Sequence, residues 1–477
     1  MAAFANTVPV IKNDYLVSGN ASLLPDFDRI TCGEGFETAA EAAAIYARKA
    51  GIKGSIPIEL ISENGSCKDE GYALKIGENI ITVKAGGIKG INRGLAILLQ
   101  LSYNGSLFEG SLKSSPDCGY RGVMIDLARN WHPFSYLIGY VDMCWLFGIK
   151  TLHLHFTDDQ SYTLPSEIFP LLSTPGRHYT REELAELDRY AFARGVEIMP
   201  EIDVPGHCIS FQTNYNEIFG EGGIIVQTEK SMQGISALFR ELCEMFPHSD
   251  KIHIGGDEAA ILKWTENPEC RAYAVAQGID FDSEDKKYVS ERMLANFVEK
   301  AAEAVKAMGR QAVCWEGFGK CVNDYVSKDI LVFSWENFYQ VTPDLLEGGF
   351  KIINGSWRPM YIVTPAVYWS REEVYDWSIY KWTPVHGGSP YAGTTYENGP
   401  DDNIIGGQLL AWGDAIEKSF PTVEEGIREE RRLVAERASI LSERTWNREK
   451  AVETEEFLSI SDGIAELLRL ISGAWDL

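Results

Sequence analysis

The sequence predicts an α/β chain built on a (β/α)8 TIM barrel, preceded by a small α+β domain and followed by a C-terminal helical extension. Three observations carry this. From Tyr120 onward, short apolar strands alternate with amphipathic helical stretches. Nearly every one of those strands ends in charged or aromatic residues: Asp126 and Arg129, Asp158 and Asp159, Glu201 and Asp203, Asp257 and Glu258, Trp315 and Glu316, Trp335 and Glu336, Trp357, then Trp412 and Asp414. A barrel gathers all its strand ends around one mouth. A doubly wound open sheet would gather them only at a switch point. No glycine-rich nucleotide or phosphate loop opens any helix, which argues against the nucleotide-binding open sheet.

The elements follow in order. Residues 1–112 read as the small α+β domain. Residues 38–50 are alanine-rich and helical, 56–61 and 72–76 alternate as strands, 79–84 is a strand ending in a glycine turn, and 90–101 is an apolar-periodic helix. No catalytic constellation lies there. Residues 113–420 read as the barrel. Its strands are expected at 122–126, 151–155, 196–200, 251–255, 312–315, 330–333, 351–353 and 404–412, with helices at 135–147, 181–194 and 288–308. Residues 421–477 are helical and highly charged, with helices at 422–443 and 455–472 packed on the outside of the barrel.

Composition narrows the partners. The chain has 477 residues and a net charge of -25, so no basic face meets nucleic acid or an anionic membrane. No apolar run approaches a membrane span. The N-terminus lacks the basic region and apolar core of a secretory signal, so a cytoplasmic location is expected. Nine cysteines are scattered without a C-x-x-C pair, which reads as buried free thiols in a reducing compartment. His153 and His155 share one side of a strand, but no ligand set of metal-like spacing surrounds them, so neither metal nor cofactor is expected.

The segment Lys251-Ile-His-Ile-Gly-Gly-Asp-Glu-Ala259 carries the chemistry. A strand ends in two glycines, which let the backbone bend and a ligand approach. Two carboxylates follow, Asp257 and Glu258. Adjacent like charges raise one another's pKa, and a raised carboxyl pKa suits a general acid. Read alone, the pair serves equally well to cap a following helix. Tryptophans crowd the second half of the barrel, and an indole face stacks on the C–H face of a sugar or fills a core. Arg129 has the fork to hold two vicinal hydroxyls or to pin the first loop in an ion pair.

Four ordered motifs then bear a resemblance: Arg121-Gly-Val-Met-Ile-Asp-Leu-Ala-Arg129, Leu152-His-Leu-His-Phe-Thr-Asp-Asp-Gln160, Pro200-Glu-Ile-Asp-Val-Pro-Gly-His207 and His253-Ile-Gly-Gly-Asp-Glu258. Together the series resembles glycoside hydrolase family 20, the exo-acting β-N-acetylhexosaminidases. The resemblance implies retaining, substrate-assisted hydrolysis of terminal β-linked GlcNAc or GalNAc through an oxazolinium intermediate, the partner being a small oligosaccharide or glycoconjugate. It implies Glu258 as general acid and base, Asp257 as the group orienting the acetamido N–H, and His207 held by Asp203 as the tuner of Glu258. It further implies Arg129 and Asp158 on the sugar hydroxyls, Trp315, Trp335 and Trp412 as walls, Tyr361 on the acetamido oxygen, and Asp414 near the outer hydroxyls.

Two positions depart from the family pattern. Val363 stands where an Asp is common, and Asp414 where a Glu is usual. Both bear on hydroxyl recognition, not on bond cleavage. The long loop 382–403 is read either as a cover on the leaving-group side or as a contact in a homo-oligomer. Two other functions stay open: a barrel glycosidase with a carboxylate nucleophile of its own, and a catalytically inactive sugar-binding barrel.

Overall fold

A computed structural model describes residues 6–12, 15–63, 69–105, 107–281, 285–473 and 475. Cys67, expected as a buried thiol, lies outside the described residues. Of the others, Cys118, Cys144, Cys208, Cys243, Cys270 and Cys314 are buried and unbridged, Cys32 is half-buried, and Cys321 is exposed.

The first unit is one six-stranded mixed sheet: β1 (Tyr15–Ser22), β2 (Pro25–Cys32), β3 (Ile56–Ser62), β4 (Tyr72–Ile76), β5 (Ile81–Ala85) and β6 (Phe108–Ser114). Their spatial order is β1-β6-β4-β5-β3-β2. Helices Glu37–Lys49 and Ile88–Tyr103 cover it. The second of these is buried along most of its length, because it also packs against the barrel.

The barrel is closed and parallel. Strands β7 (Tyr120–Asp126), β8 (Thr151–His155), β9 (Glu197–Val204), β10 (Lys251–Gly255), β11 (Gln311–Trp315), β12 (Leu331–Ser334) and β13 (Lys351–Asn354) pair in chain order. After β13 come three short strands, β14 (Tyr361–Val363), β15 (Lys381–Trp382) and β16 (Tyr396–Glu397). Strand β17 (Ile404–Trp412) then pairs with both β13 and β7 and shuts the ring. Every residue of β7, β8 and β9 is buried, as a sheet covered on both faces requires.

Strand β9 runs four residues past the expected end at Pro200, so Glu201 and Asp203 project from the strand itself. Helix Val423–Trp446 packs against β17 and β7 and stands in the ring of barrel helices. Helix Thr454–Ile471 lies over helices Glu37–Lys49 and Phe134–Phe147, bridging the first unit and the barrel. Lys49 Nζ donates to the carbonyl of Ile471 at 2.8 Å across that seam. Among the described residues, no helix is long and apolar enough to cross a membrane.

At the base of the barrel the two units share a buried charge cluster. Glu70 takes an ion pair from Arg93 Nε at 3.1 Å and another from Arg121. Arg93 also donates to the carbonyls of Ile149 (2.9 Å) and Gly195 (3.2 Å). Burial opposes the Glu70 charge, but the two guanidinium groups outweigh it and hold the carboxyl at about 2.

Candidate active site

The strand ends converge on a pocket of about 350 Å³ at the C-terminal mouth. It is lined by Arg129, Asp203, His207, Asp257, Glu258, Trp315, Trp335, Glu336, Trp357, Tyr361, Val363, Val367, Trp412 and Asp414. Every expected site residue except Asp158 reaches this wall.

Backbone geometry aims the acids. Gly255 sits at φ +71°, and a Cβ there would meet Asp203 Oδ1 at 1.9 Å, so only glycine fits. The strand bends sharply after it and presents Asp257 and Glu258. Glu258 has φ 46° and His207 has φ 48°, left-handed conformations that non-glycine residues rarely adopt. These two strained residues bond each other: His207 Nε2 lies 3.0 Å from Glu258 Oε2. Strain concentrated on two touching polar side chains is a mark of a working site. Neither acid caps a helix, since the following turn, Ile261–Thr265, has no side-chain cap.

The partner of His207 differs from expectation. Its Nδ1 lies 3.3 Å from Asp158 Oδ1, not on Asp203. The tight loop after β8, closed by a Thr157–Tyr162 bridge, folds Asp158 back toward the barrel interior. Asp158 is 1 % exposed, so it is no direct contact for sugar hydroxyls. Its Oδ2 instead takes the charge of Arg129 at 2.7 Å and a bond from His155 Nε2 at 3.0 Å. Asp203 lies within 4.8 Å of His207 and Asp257, and its Oδ1 has no hydrogen-bond partner. Burial lifts the Asp203 carboxyl to about 7, against the pull of His207.

Arg129 performs the structural alternative. Asp126 takes its Nη1 at 3.1 Å, Asp158 its Nη2, and Asp414 its Nε at 3.3 Å. Asp126 also accepts from the backbone of Arg129 and of Gly413, so it ties the first and last barrel loops together. The guanidinium lies 5.0 Å over the Trp412 ring and still lines the pocket.

The second half of the mouth is aromatic. Tyr361 stacks on Trp357 at 4.7 Å and faces Trp335 and Trp412, each at 6.1 Å. Trp315 is fixed by its N–H, which donates to Glu201 Oε1 at 2.7 Å. Trp382, in contrast, is a fully buried core residue outside the pocket, as is Trp377. Glu316 is spent on its own loop, accepting from the backbone of Trp335, Asn337 and Phe338. Glu336, named in a strand-end cluster but given no role by the sequence, enters the pocket, and burial lifts it to about 7. Loop 382–403 reaches it through the His386 N–H at 3.2 Å.

The two central acids split apart in acidity, and not in the expected sense. Asp257 is raised well above the carboxylate range, by burial first and by the charge of Asp203 second. Its Oδ1 is buried with no partner. Glu258 is lowered, chiefly by the hydrogen bond from His207. Burial opposes the charge on His207, but Asp203, Asp158 and Glu258 together hold it well above the usual imidazole range. Asp257 and His207 therefore hold a proton more readily than their ordinary counterparts, and Glu258 releases one more readily.

Below the pocket, histidines meet contrary to the spacing argument. Glu201 Oε2 faces His155 Nδ1 at 2.6 Å and His153 Nε2 at 3.1 Å, while Oε1 faces His253 Nδ1 at 2.8 Å. The strands, not sequence separation, bring them together: His153 and His155 on β8, Glu201 on β9, His253 on β10. With Trp315 as well, both Glu201 oxygens are engaged by protein groups, hydrogen-bonded to His155 and Trp315 and in close contact with the rings of His153 and His253.

Residues 118–449 match the catalytic domain of glycosyl hydrolase family 20. The chain belongs to this family. Among curated relatives, the β-hexosaminidase subunit beta of Mus musculus is 26% identical over 412 residues, covering 81% of this chain and 70% of its own length. A β-hexosaminidase of Akkermansia muciniphila is 29% identical over 266 residues, covering 48% of this chain and 54% of its own. The family 20 exo-β-N-acetylglucosaminidase of Vibrio harveyi, solved with N-acetylglucosamine, superposes with a TM-score of 0.77 at 20% identity, covering 99% of this chain and 78% of that one. A Streptomyces coelicolor family 20 β-N-acetylhexosaminidase gives 0.73 at 19%, covering 98% and 96%. For these two solved structures the likeness is one of fold, and it is the family 20 barrel that this chain shares.

Proposed function

We propose that this family 20 chain is an exo-β-N-acetylhexosaminidase that cleaves terminal β-linked GlcNAc or GalNAc with retention, using the substrate's acetamido oxygen as the nucleophile. The observation that carries the reading is the Asp257–Glu258 pair. One carboxyl is buried, raised and unpartnered at Oδ1; its neighbour is half-exposed and bonded to an imidazolium. An acetamido N–H supplies what Asp257 Oδ1 lacks. Accepting that N–H favours the ionised form of Asp257, whose proton passes to solvent as the sugar binds. As the acetamido oxygen attacks the anomeric carbon, positive charge grows on the amide and the Asp257 carboxylate stabilises it. Neighbouring side chains at a strand end diverge, so Asp257 and Glu258 are poorly placed to flank one bond as nucleophile and acid, which disfavours the reading with an enzyme nucleophile.

Glu258 then delivers a proton to the leaving oxygen and later takes one from water. Substrate must first desolvate it, since its free form is ionised. Filling the pocket removes water from a side chain that is 49% exposed in the free structure, and that raises its proton affinity. Trp315, Trp335, Trp357 and Trp412, with Tyr361, enclose the ring and acetamido group. Holding the internal nucleophile in line is worth on the order of 7–11 kcal/mol of barrier.

Arg129 and Asp414 meet the outer hydroxyls, while Asp158 acts through Arg129 and His207 from behind the wall. The apolar pair Val363 and Val367 leaves part of the pocket without a hydrogen-bond donor or acceptor side chain. The test is turnover of a nitrophenyl N-acetyl-β-glucosaminide with inhibition by the thiazoline analogue of the intermediate. Turnover without thiazoline inhibition overturns the mechanism; no turnover overturns the activity and leaves a sugar-binding barrel.

A further inference from the structure

The proton of His207 does not rest on Asp158 alone. Strand β8 carries His155, three residues before Asp158, and its ring bridges two carboxylates: Nε2 to Asp158 Oδ2 at 3.0 Å, Nδ1 to Glu201 Oε2 at 2.6 Å. A ring whose two nitrogens both face carboxylates serves both only as an imidazolium, with two N–H donors. Each link is buried until the last: Glu201, His155 and Asp158 are at most 1 % exposed, His207 is 16 % exposed at its side chain, and Glu258 opens to the pocket. We infer that His155 and Glu201 are positioning residues for the hydrolytic reaction, forming the inner half of an alternating-charge relay, Glu201–His155–Asp158–His207–Glu258, that fixes the protonation of the acid–base carboxylate from inside the barrel. This rests on the reading of Glu258 as the acid and base.

The physical logic is one of sign. An anion at Glu201 holds a cation at His155, which fixes the anion at Asp158, which holds the cation at His207. The charge on His155 thus counts against protonation of Glu258, although it touches no substrate. The groups facing His155 are Glu201, Asp158, Asp126, Asp203 and His153. Those facing Glu258 are His207, Arg129, Asp158, Asp257, Glu336, Tyr339 and Tyr361. Removing the His155 charge takes away the positive charge beside Asp158, which lies behind His207 and Glu258, and so favours the protonated acid. Removing the Glu201 charge acts in the same sense by another route: His155 loses one of its two carboxylate partners, keeps Asp158 at 3.0 Å, and holds its proton less tightly.

Two variants of the full chain, H155Q and E201Q, test this on nitrophenyl N-acetyl-β-glucosaminide. Both are expected to lower kcat roughly tenfold, in the lower range for a misaligned acid–base group, with KM changed by less than about threefold. Both are expected to move the alkaline limb of kcat/KM upward, by about half a pH unit or more. A limb that stays put in both, shifts in opposite directions, or a loss confined to KM overturns the relay while wild-type turnover leaves the underlying reading intact. An inactive wild type overturns both. Nitrogen NMR of histidine-labelled wild type needs no variant to fold: a doubly protonated His155 ring at neutral pH supports the relay, and a neutral one overturns it.

Discussion

Two buried charge clusters occupy opposite ends of the barrel, and they use the same device for different ends. At the base, Glu70 is locked between the guanidinium forks of Arg93 and Arg121. Lys150 Nζ stands 3.7 Å from the other Glu70 oxygen, and the two arginines also donate to the backbone carbonyls of Cys118, Gly148, Ile149 and Gly195. At the mouth, Asp158 and Glu201 are held by histidines, and the chain ends on a half-exposed carboxylate beside an unpartnered one. Arginine makes a fixed clamp; histidine makes a chain of protons that respond to what fills the pocket. The division matches the barrel's own asymmetry, with stability at one face and chemistry at the other.

The comparison breaks most sharply at Glu258. Glu258→Gln is expected to lower kcat on an unactivated disaccharide such as chitobiose by about 10²–10⁴-fold, while the melting temperature barely moves. Asp257→Asn is expected to lower kcat by about 10²–10³-fold and to weaken thiazoline binding, checked by steady-state kinetics and calorimetry. The reverse pattern is expected at the base. Glu70→Ala leaves two buried guanidinium groups unpaired and is expected to destabilise the fold by about 3–5 kcal/mol in denaturant melts, with kcat of the folded fraction unchanged.

The smallest effect separates the clusters by pH. Glu70 is depressed to about 2, so its contribution is present above its ordinary pKa near 4.5 and is lost as pH falls toward 2. His207 is raised, so its contribution is complete below the ordinary imidazole pKa and is lost only as pH rises through its folded value. Melts from pH 5 to pH 2 are therefore expected to lose a stabilising increment that Glu70→Gln does not show.

Much of this was legible in sequence where periodicity is strong. Strands β8 and β10 begin and end where alternation of apolar residues says they should, at 151–155 and 251–255. The sequence places strand β9 at 196–200, yet the parallel pairing carries on to Val204. Strands β1, β2 and β6 escaped notice; β2, for one, buries few residues and opens with a proline. At the site, residue types were readable but partners were not. Asp158 and Asp203 are both acids at strand ends, and only the turn after β8 decides which one meets His207. Trp315-Glu316 and Trp335-Glu336 are the same dipeptide, but backbone N–H groups consume Glu316 while Glu336 faces the pocket. The histidine hub was hidden for the same reason, since its members come from three strands.

The measurement closest to the core of this account compares two aryl substrates that differ only in the 2-acetamido group. If the sugar provides the attacking oxygen, kcat/KM for the N-acetylglucosaminide should exceed that for the plain glucoside by at least about 10³-fold, a fraction of what a well-aimed internal nucleophile supplies. Comparable rates on both, or a covalent glycosyl adduct trapped on Asp257, would contradict it.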